Sequence, residues 1–303
     1  MKLIALIVGL LLERLVTHLL HLRELRWFDR YFDWSLARLG GAPDWARMPF
    51  ALVLLALPVL PVVVAAAVLL TAGLFWNVPY FVFAVFVLLF SLGPRDLGEE
   101  VRDYVDTVQM ERFEESQRIA KELLEARATR GGERRELVVE EAVLVQANNR
   151  IFGVVLYFVA LGPVGAWLFR VSDMFRRRAV YEAERDADDA RVNAAQVVET
   201  MHGVLAWLPA RLTCLGYALA GSFEDAIAAW RRVTAGASMR FFELNDELIA
   251  VVGRAALAPQ DGEQPLDVLQ EAARAAAAMR LVVRTLFVWL TVVALMTLFG
   301  WAV

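Results

Sequence analysis

The side chains with the most chemistry to offer stand inside or at the ends of long apolar runs. Glu13 and Arg14 interrupt an N-terminal apolar stretch, and Arg95 follows a second one, with Asp96, Glu99 and Asp103 behind it. Asn149 and Arg150 precede the uncharged run 151–169; Arg170 and Asp173 follow it. Arg211 comes two residues after Pro209 in the apolar stretch 204–221. Ionisable groups at membrane depth are costly and usually face a bundle interior or a cavity. Guanidinium groups suit bidentate contact with carboxylate or phosphate. Glu13, Arg14, Arg95, Asn149, Arg150, Arg170, Asp173 and Arg211 are therefore the candidate ligand-binding residues, and an anionic small molecule is the expected ligand. The competing reading has each arginine anchor its own helix end at the headgroups. Six of them, Glu13, Arg14, Asn149, Arg150, Arg170 and Arg211, are expected to converge on one cavity at the membrane face, beneath the cytosolic helices.

Catalytic and metal templates are missing. Neither G-x-x-x-x-G-K-[ST] nor G-x-S-x-G occurs. His18, His21 and His202 have no partners at zinc-ligand spacing. Asp186, Asp188 and Asp189 could hold Mg²⁺ with substrate phosphates, but read better as a solvated helix face. The residues imply no metal, no cofactor and no assignable catalytic group, and the balance leans away from an enzyme. Cys214 is the one cysteine, so no intrachain disulfide forms. Net charge is −4, which leaves no basic footprint for nucleic acid.

The elements that must position these groups are mostly membrane helices. Residues 48–94 carry no charge. A span needs about 20 apolar residues, so this run holds two: a helical hairpin over 49–71 and 78–93 with an uncharged turn between. Hydrophobic residues make up 59% of the chain and charged ones 22%, in alternating blocks, as in an integral membrane protein with sizeable polar parts. The apolar run Leu3–Leu12 resembles a signal peptide, but Glu13-Arg14 and a second apolar run follow instead of a small-residue cleavage site, so the segment is expected to be retained. Residues 23–47 interleave arginine with Trp27, Tyr31, Trp34 and Trp45, which predicts an interfacial amphipathic helix ended at Gly40-Gly41.

Residues 94–150 read as a charged helical hairpin outside the bilayer, one arm from 97 to about 124 and the other over 133–150. Residues 151–221 read as broken membrane elements with a polar connection, interrupted at Gly162-Pro163 and again at Pro209. An amphipathic helical region, 222–280, leads to a last membrane helix, 281–303. The predicted class is an all-α integral membrane protein: a helical bundle with about 4–6 membrane segments, some broken or re-entrant, plus cytosolic helices. Arg176-Arg177-Arg178 belong in the cytoplasm by the positive-inside rule. That favours a re-entrant pair over 151–169, with 94–150 and 171–203 on the same side.

The order Glu140, Asn149-Arg150, Leu161-Gly162-Pro163-Val164-Gly165-Ala166, Arg170, Asp173-Met174 and Leu208-Pro209-Ala210-Arg211-Leu212-Thr213 resembles the superfamily of the membrane enzyme adenosylcobinamide-phosphate synthase (CobD/CbiB). Leu12-Glu13-Arg14-Leu15, Asn77-Val78-Pro79, Trp207-Leu208-Pro209 and Tyr217-Ala218-Leu219 resemble more closely its relatives of the AmpE family. Two departures set the chain apart from the synthase. Ala147-Asn148-Asn149-Arg150 lacks the synthase glutamate, and His202-Gly203 replace an Asp-Asp pair. The AmpE resemblance implies a multi-pass protein of the bacterial inner (plasma) membrane, a regulatory modulator linked to cell-wall recycling and β-lactamase induction. Its expected partners are the lipid bilayer and an anionic small ligand, with a homo-oligomer left open and nucleic acid excluded. The alternatives are an amide-forming or nucleotide-using transferase related to the synthase, and a transporter of muropeptide-like solutes.

Overall fold

A computed structural model describes residues 4–10, 27–71, 77–92, 96–124, 128–130, 133–135, 138–186, 188–235, 244–257 and 267–299. In chain order the helices are α1 (4–10), α2 (Trp27–Gly40), α3 (Asp44–Ala56), α4 (Leu60–Thr71), α5 (Asn77–Ser91), α6 (Leu97–Gln109) and α7 (Phe113–Leu123). A two-stranded antiparallel hairpin, β1 (Ala128–Arg130) and β2 (Glu133–Arg135), separates these from α8 (Val139–Ala147). Then follow α9 (Gly153–Leu161), α10 (Pro163–Arg185), α11 (Asp189–Ala220), α12 (Phe223–Ala235), α13 (Asn245–Ala256) and α14 (Val268–Leu298). The protein is an all-α membrane protein apart from that small hairpin. Among the described residues, three helical stretches, 139–161, 189–220 and 268–298, are long and apolar enough to cross a bilayer, or four with the bent pair α3–α4 counted as one.

The chain divides into two compact units. The first takes the described residues of Met1–Pro94 and Gly153–Ala206; the second takes those of Arg95–Phe152 and Trp207–Phe299. In the first, Phe28, Phe32, Leu36 and Leu39 recur at helical spacing along α2 and are all buried. Phe32 stacks on Phe175 at 5.2 Å and Phe28 meets Trp167 at 5.9 Å, which docks α2 on α10. Arg178 of α10 then clamps Asp33 of α2 with two bonds, 2.6 and 2.9 Å.

The predicted single helix over 49–71 is two helices, bent by 48° at residues 57–59. Pro58 cannot supply the amide hydrogen that the Leu54 carbonyl would otherwise receive. The Tyr31 hydroxyl donates to that carbonyl instead, at 2.5 Å. The Pro58 carbonyl is served by the Trp167 indole at 3.0 Å. Backbone groups freed at membrane depth need such partners.

Pro209 has the opposite outcome. The sequence reading breaks the chain there, yet α11 runs through it as one helix of 32 residues. The orphan in this case is the Leu205 carbonyl, and the Tyr157 hydroxyl donates to it at 2.9 Å. With the missing bond replaced from a neighbouring helix, the proline is absorbed.

The break at Gly162-Pro163 stands as read. Gly162 has φ +69°, a conformation that favours glycine, and Pro163 opens α10. The two helices fold back on each other tightly: a Cβ on Gly165 would lie 2.4 Å from the Tyr157 carbonyl, and one on Gly153 2.2 Å from the Phe169 ring. The stretch 151–169 is thus a hairpin about Gly162, not one straight crossing.

In the second unit, α6 starts at an Asp96 side chain that accepts from the Gly98 amide at 2.9 Å. Its buried face, Leu97, Val101, Tyr104 and Val108, joins a core with Leu144, Tyr217, Leu248 and Ala275. The predicted long helix 97–124 is divided between α6 and α7 at residues 110–112, and the start of the predicted helix 133–150 is strand β2. The end of the predicted amphipathic region and the described part of the last membrane helix form one 31-residue helix, α14. Only 22% of its most apolar window is buried, so the rest of that surface needs lipid.

Candidate functional site

Helix α8 does not continue into α9 with regular α geometry. A π turn, Asn148–Phe152, lies between them. The Asn148 amide turns to the Val145 carbonyl, so the Leu144 carbonyl takes the Tyr217 hydroxyl at 2.9 Å. Asparagine is a weak helix former whose amide competes for hydrogen bonds, and two occur here in sequence. Such turns often mark functional sites.

The π turn places a chain of polar side chains in a wholly buried position. The Thr213 hydroxyl of α11 donates to Asn148 Oδ1 at 3.0 Å, and Asn148 Nδ2 donates to Asn149 Oδ1 at 3.1 Å. All three residues have zero exposure. The chain ends at Asn149 Nδ2, a buried donor with no hydrogen-bond partner among the described residues. Next to it, Arg150 pairs with Glu100 of α6 at 2.8 Å. Arg211 lies over the Trp207 ring at 5.1 Å and hydrogen-bonds Asn245 Oδ1 of α13. Elsewhere in this unit Glu140 pairs with Arg254 and Arg274, tying α8 to α13 and α14.

The first unit holds the other described candidates. Asp173 is fully buried and bonds Arg170 at 3.4 Å, Arg176 at 3.2 Å and Arg177 at 3.0 Å. Burial alone would push its carboxyl up; the charges of Arg177, Arg176 and Arg170 outweigh that and hold it well below the usual carboxylate range. Beside it, Ser172 Oγ donates to the Phe169 carbonyl at 2.7 Å and lies 3.0 Å from His202 Nδ1. His202 Nε2 lies 4.0 Å from Asp173 Oδ1 and has no hydrogen-bond partner among the described residues. Of the acids weighed for Mg²⁺, Asp186 is held by Arg191 at 2.6 Å.

Of the sequence candidates, Glu13, Arg14 and Arg95 lie outside the described residues. Arg170 and Asp173 meet each other. Asn149, Arg150 and Arg211 belong to the second unit, where Asn149 and Arg150 are adjacent in the π turn. The sequence reading missed Glu100, Thr213, Asn245, Ser172 and the place of His202. Thr213 was legible as the end of the Pro-Ala-Arg-Leu-Thr run; Asn245 sits in no motif.

No curated protein and no solved structure matches the chain. The family model described as the regulatory signalling modulator protein AmpE matches residues 1–303. The chain therefore belongs to the AmpE family of regulatory signalling modulators.

Proposed function

We propose that the protein is a modulator, resident in the bacterial inner membrane, of the response that links cell-wall recycling to β-lactamase induction, and that it works by binding a small anionic ligand at the π turn. The family supports the coarser part, a membrane signalling modulator. The observation that carries the ligand is Asn149 Nδ2, a fully buried donor at the end of the Thr213–Asn148–Asn149 chain. An unpaired buried donor costs roughly 1–3 kcal/mol; a ligand oxygen accepting from it would recover that cost. Arg150, one residue on, would add charge complementarity to a carboxylate. Side chains of this kind inside apolar helices are functional by default.

The test is genetic. β-Lactamase activity after exposure to an inducing β-lactam is compared in cells that lack the chain and in cells supplied with it from a plasmid. A difference of several-fold between the two is expected. Identical induction curves would refute the assignment to this response.

A further inference from the structure

We infer that the outer face of α2 binds the phosphate groups of acidic phospholipids. The helix carries two aspartates and two arginines in its described length, Asp29, Arg30, Asp33 and Arg38, and the fold separates them by sign. Asp33 is clamped by Arg178 of α10, and the charge of Asp29 acts on the same guanidinium. Asp33 is thus held against α10, with its side chain still 43% exposed, and Asp29 is half-buried. Arg30, Trp34 and Arg38, at positions i, i+4 and i+8, form one exposed stripe on the outside. The Arg38 guanidinium lies over the Trp34 ring at 5.0 Å, and among the described residues neither arginine pairs with a carboxylate.

What lies next along the chain identifies the partner. After Gly40 the chain turns into α3, where Asp44 and Arg47 pair at 2.7 Å. Trp45 is 83% exposed. Beyond it the exposed residues up to Leu57 are Met48, Pro49, Leu52, Val53, Ala56 and Leu57, and no charge follows until the chain has passed α4 and α5. That face suits hydrocarbon. A passage from Arg and Trp to a purely apolar surface over a few residues is the profile of a headgroup boundary. It sets the stripe on α2 level with lipid phosphates, where arginine forms charge-assisted bonds and tryptophan is favoured. An acidic peptide or a nucleic acid would match the arginines but not the continuous apolar face below them.

The experiment uses the full chain purified in detergent. Its melting temperature is followed against added phosphatidylglycerol, phosphatidylcholine or inorganic phosphate. Phosphatidylglycerol should raise it, with a half-saturating concentration that increases with salt, because exposed charges are screened. The other two should have little effect. The double variant Arg30→Gln/Arg38→Gln should need on the order of tenfold more phosphatidylglycerol, since each basic residue near an acidic surface adds a few-fold. Arg284→Gln, at an exposed position on α14, should behave as the parent. Equal response to both lipids, an equal response to free phosphate, an unchanged double variant or an absence of salt dependence would each overturn the assignment. The salt titration needs no variant, so a double variant that failed to fold would not rescue the idea.

Discussion

Asn149 accepts a hydrogen bond from its neighbour and offers two amide hydrogens that no described residue receives. Its replacement by leucine, similar in volume, would remove that orphan donor and create another at Asn148 Nδ2. The two changes nearly cancel, so stability should move by less than about 1 kcal/mol. Asp173 should behave very differently. It is shared by three arginines and wholly buried. Asp173→Asn removes the one carboxylate they share, and such losses cost about 3–5 kcal/mol. Because the folded carboxyl titrates below its unfolded value, the parent's advantage is complete above the ordinary carboxylate range near pH 4. It should shrink as the pH falls below that range. Thermal melting of parent and variant at neutral and at acidic pH checks both the size and the sign; an advantage that grew on acidification would contradict the arrangement.

At the scale of elements, the recurring device is a tyrosine hydroxyl placed on a carbonyl that a helix has given up. Tyr31 serves Leu54 before Pro58, Tyr157 serves Leu205 before Pro209, and Tyr217 serves Leu144 at the π turn. Each Tyr→Phe replacement leaves one such carbonyl without its donor and should cost roughly 1–3 kcal/mol. Losses at all three sites well below that, measured by thermal melting, would mean that water or backbone shifts replace the phenol. Gly153→Ala should be at least as damaging, because the new methyl would lie 2.2 Å from the edge of the Phe169 ring.

This device also explains which breaks could be read from the sequence. Gly162-Pro163 was legible, since a glycine followed by a proline closes one helix and opens the next by local rules alone. Pro58 and Pro209 were not, because a proline bends or is absorbed according to donors that come from elsewhere in the fold. The uncharged runs announced the apolar helices; the partners of the charged residues did not announce themselves. Arg150 meets Glu100 fifty positions away, and Arg211 meets Asn245 thirty-four positions away. Such pairs depend on tertiary packing, not on local spacing.

At the scale of the molecule, the hairpin about Gly162 sets the membrane topology to be expected. The chain leaves Gly153 and is back beside it at Phe169, so the triple arginine 176–178 need not be exported. Single cysteines at the exposed positions Glu114 and Glu184, in a Cys214→Ser background, should therefore label alike with an impermeant maleimide, only after the membrane is opened. Labelling of one but not the other in intact spheroplasts would make 151–169 a true crossing. Ligand binding at the π turn requires Asn149 to act as a contact and not as a packing group. The most direct measurement is β-lactamase induction in cells whose only copy carries Asn149→Leu, with the amount of protein in the membrane and its melting temperature recorded in parallel. The account predicts an induction response like that of cells lacking the chain, from a protein as abundant and as stable as the parent. Parental induction by the Asn149→Leu protein would contradict it.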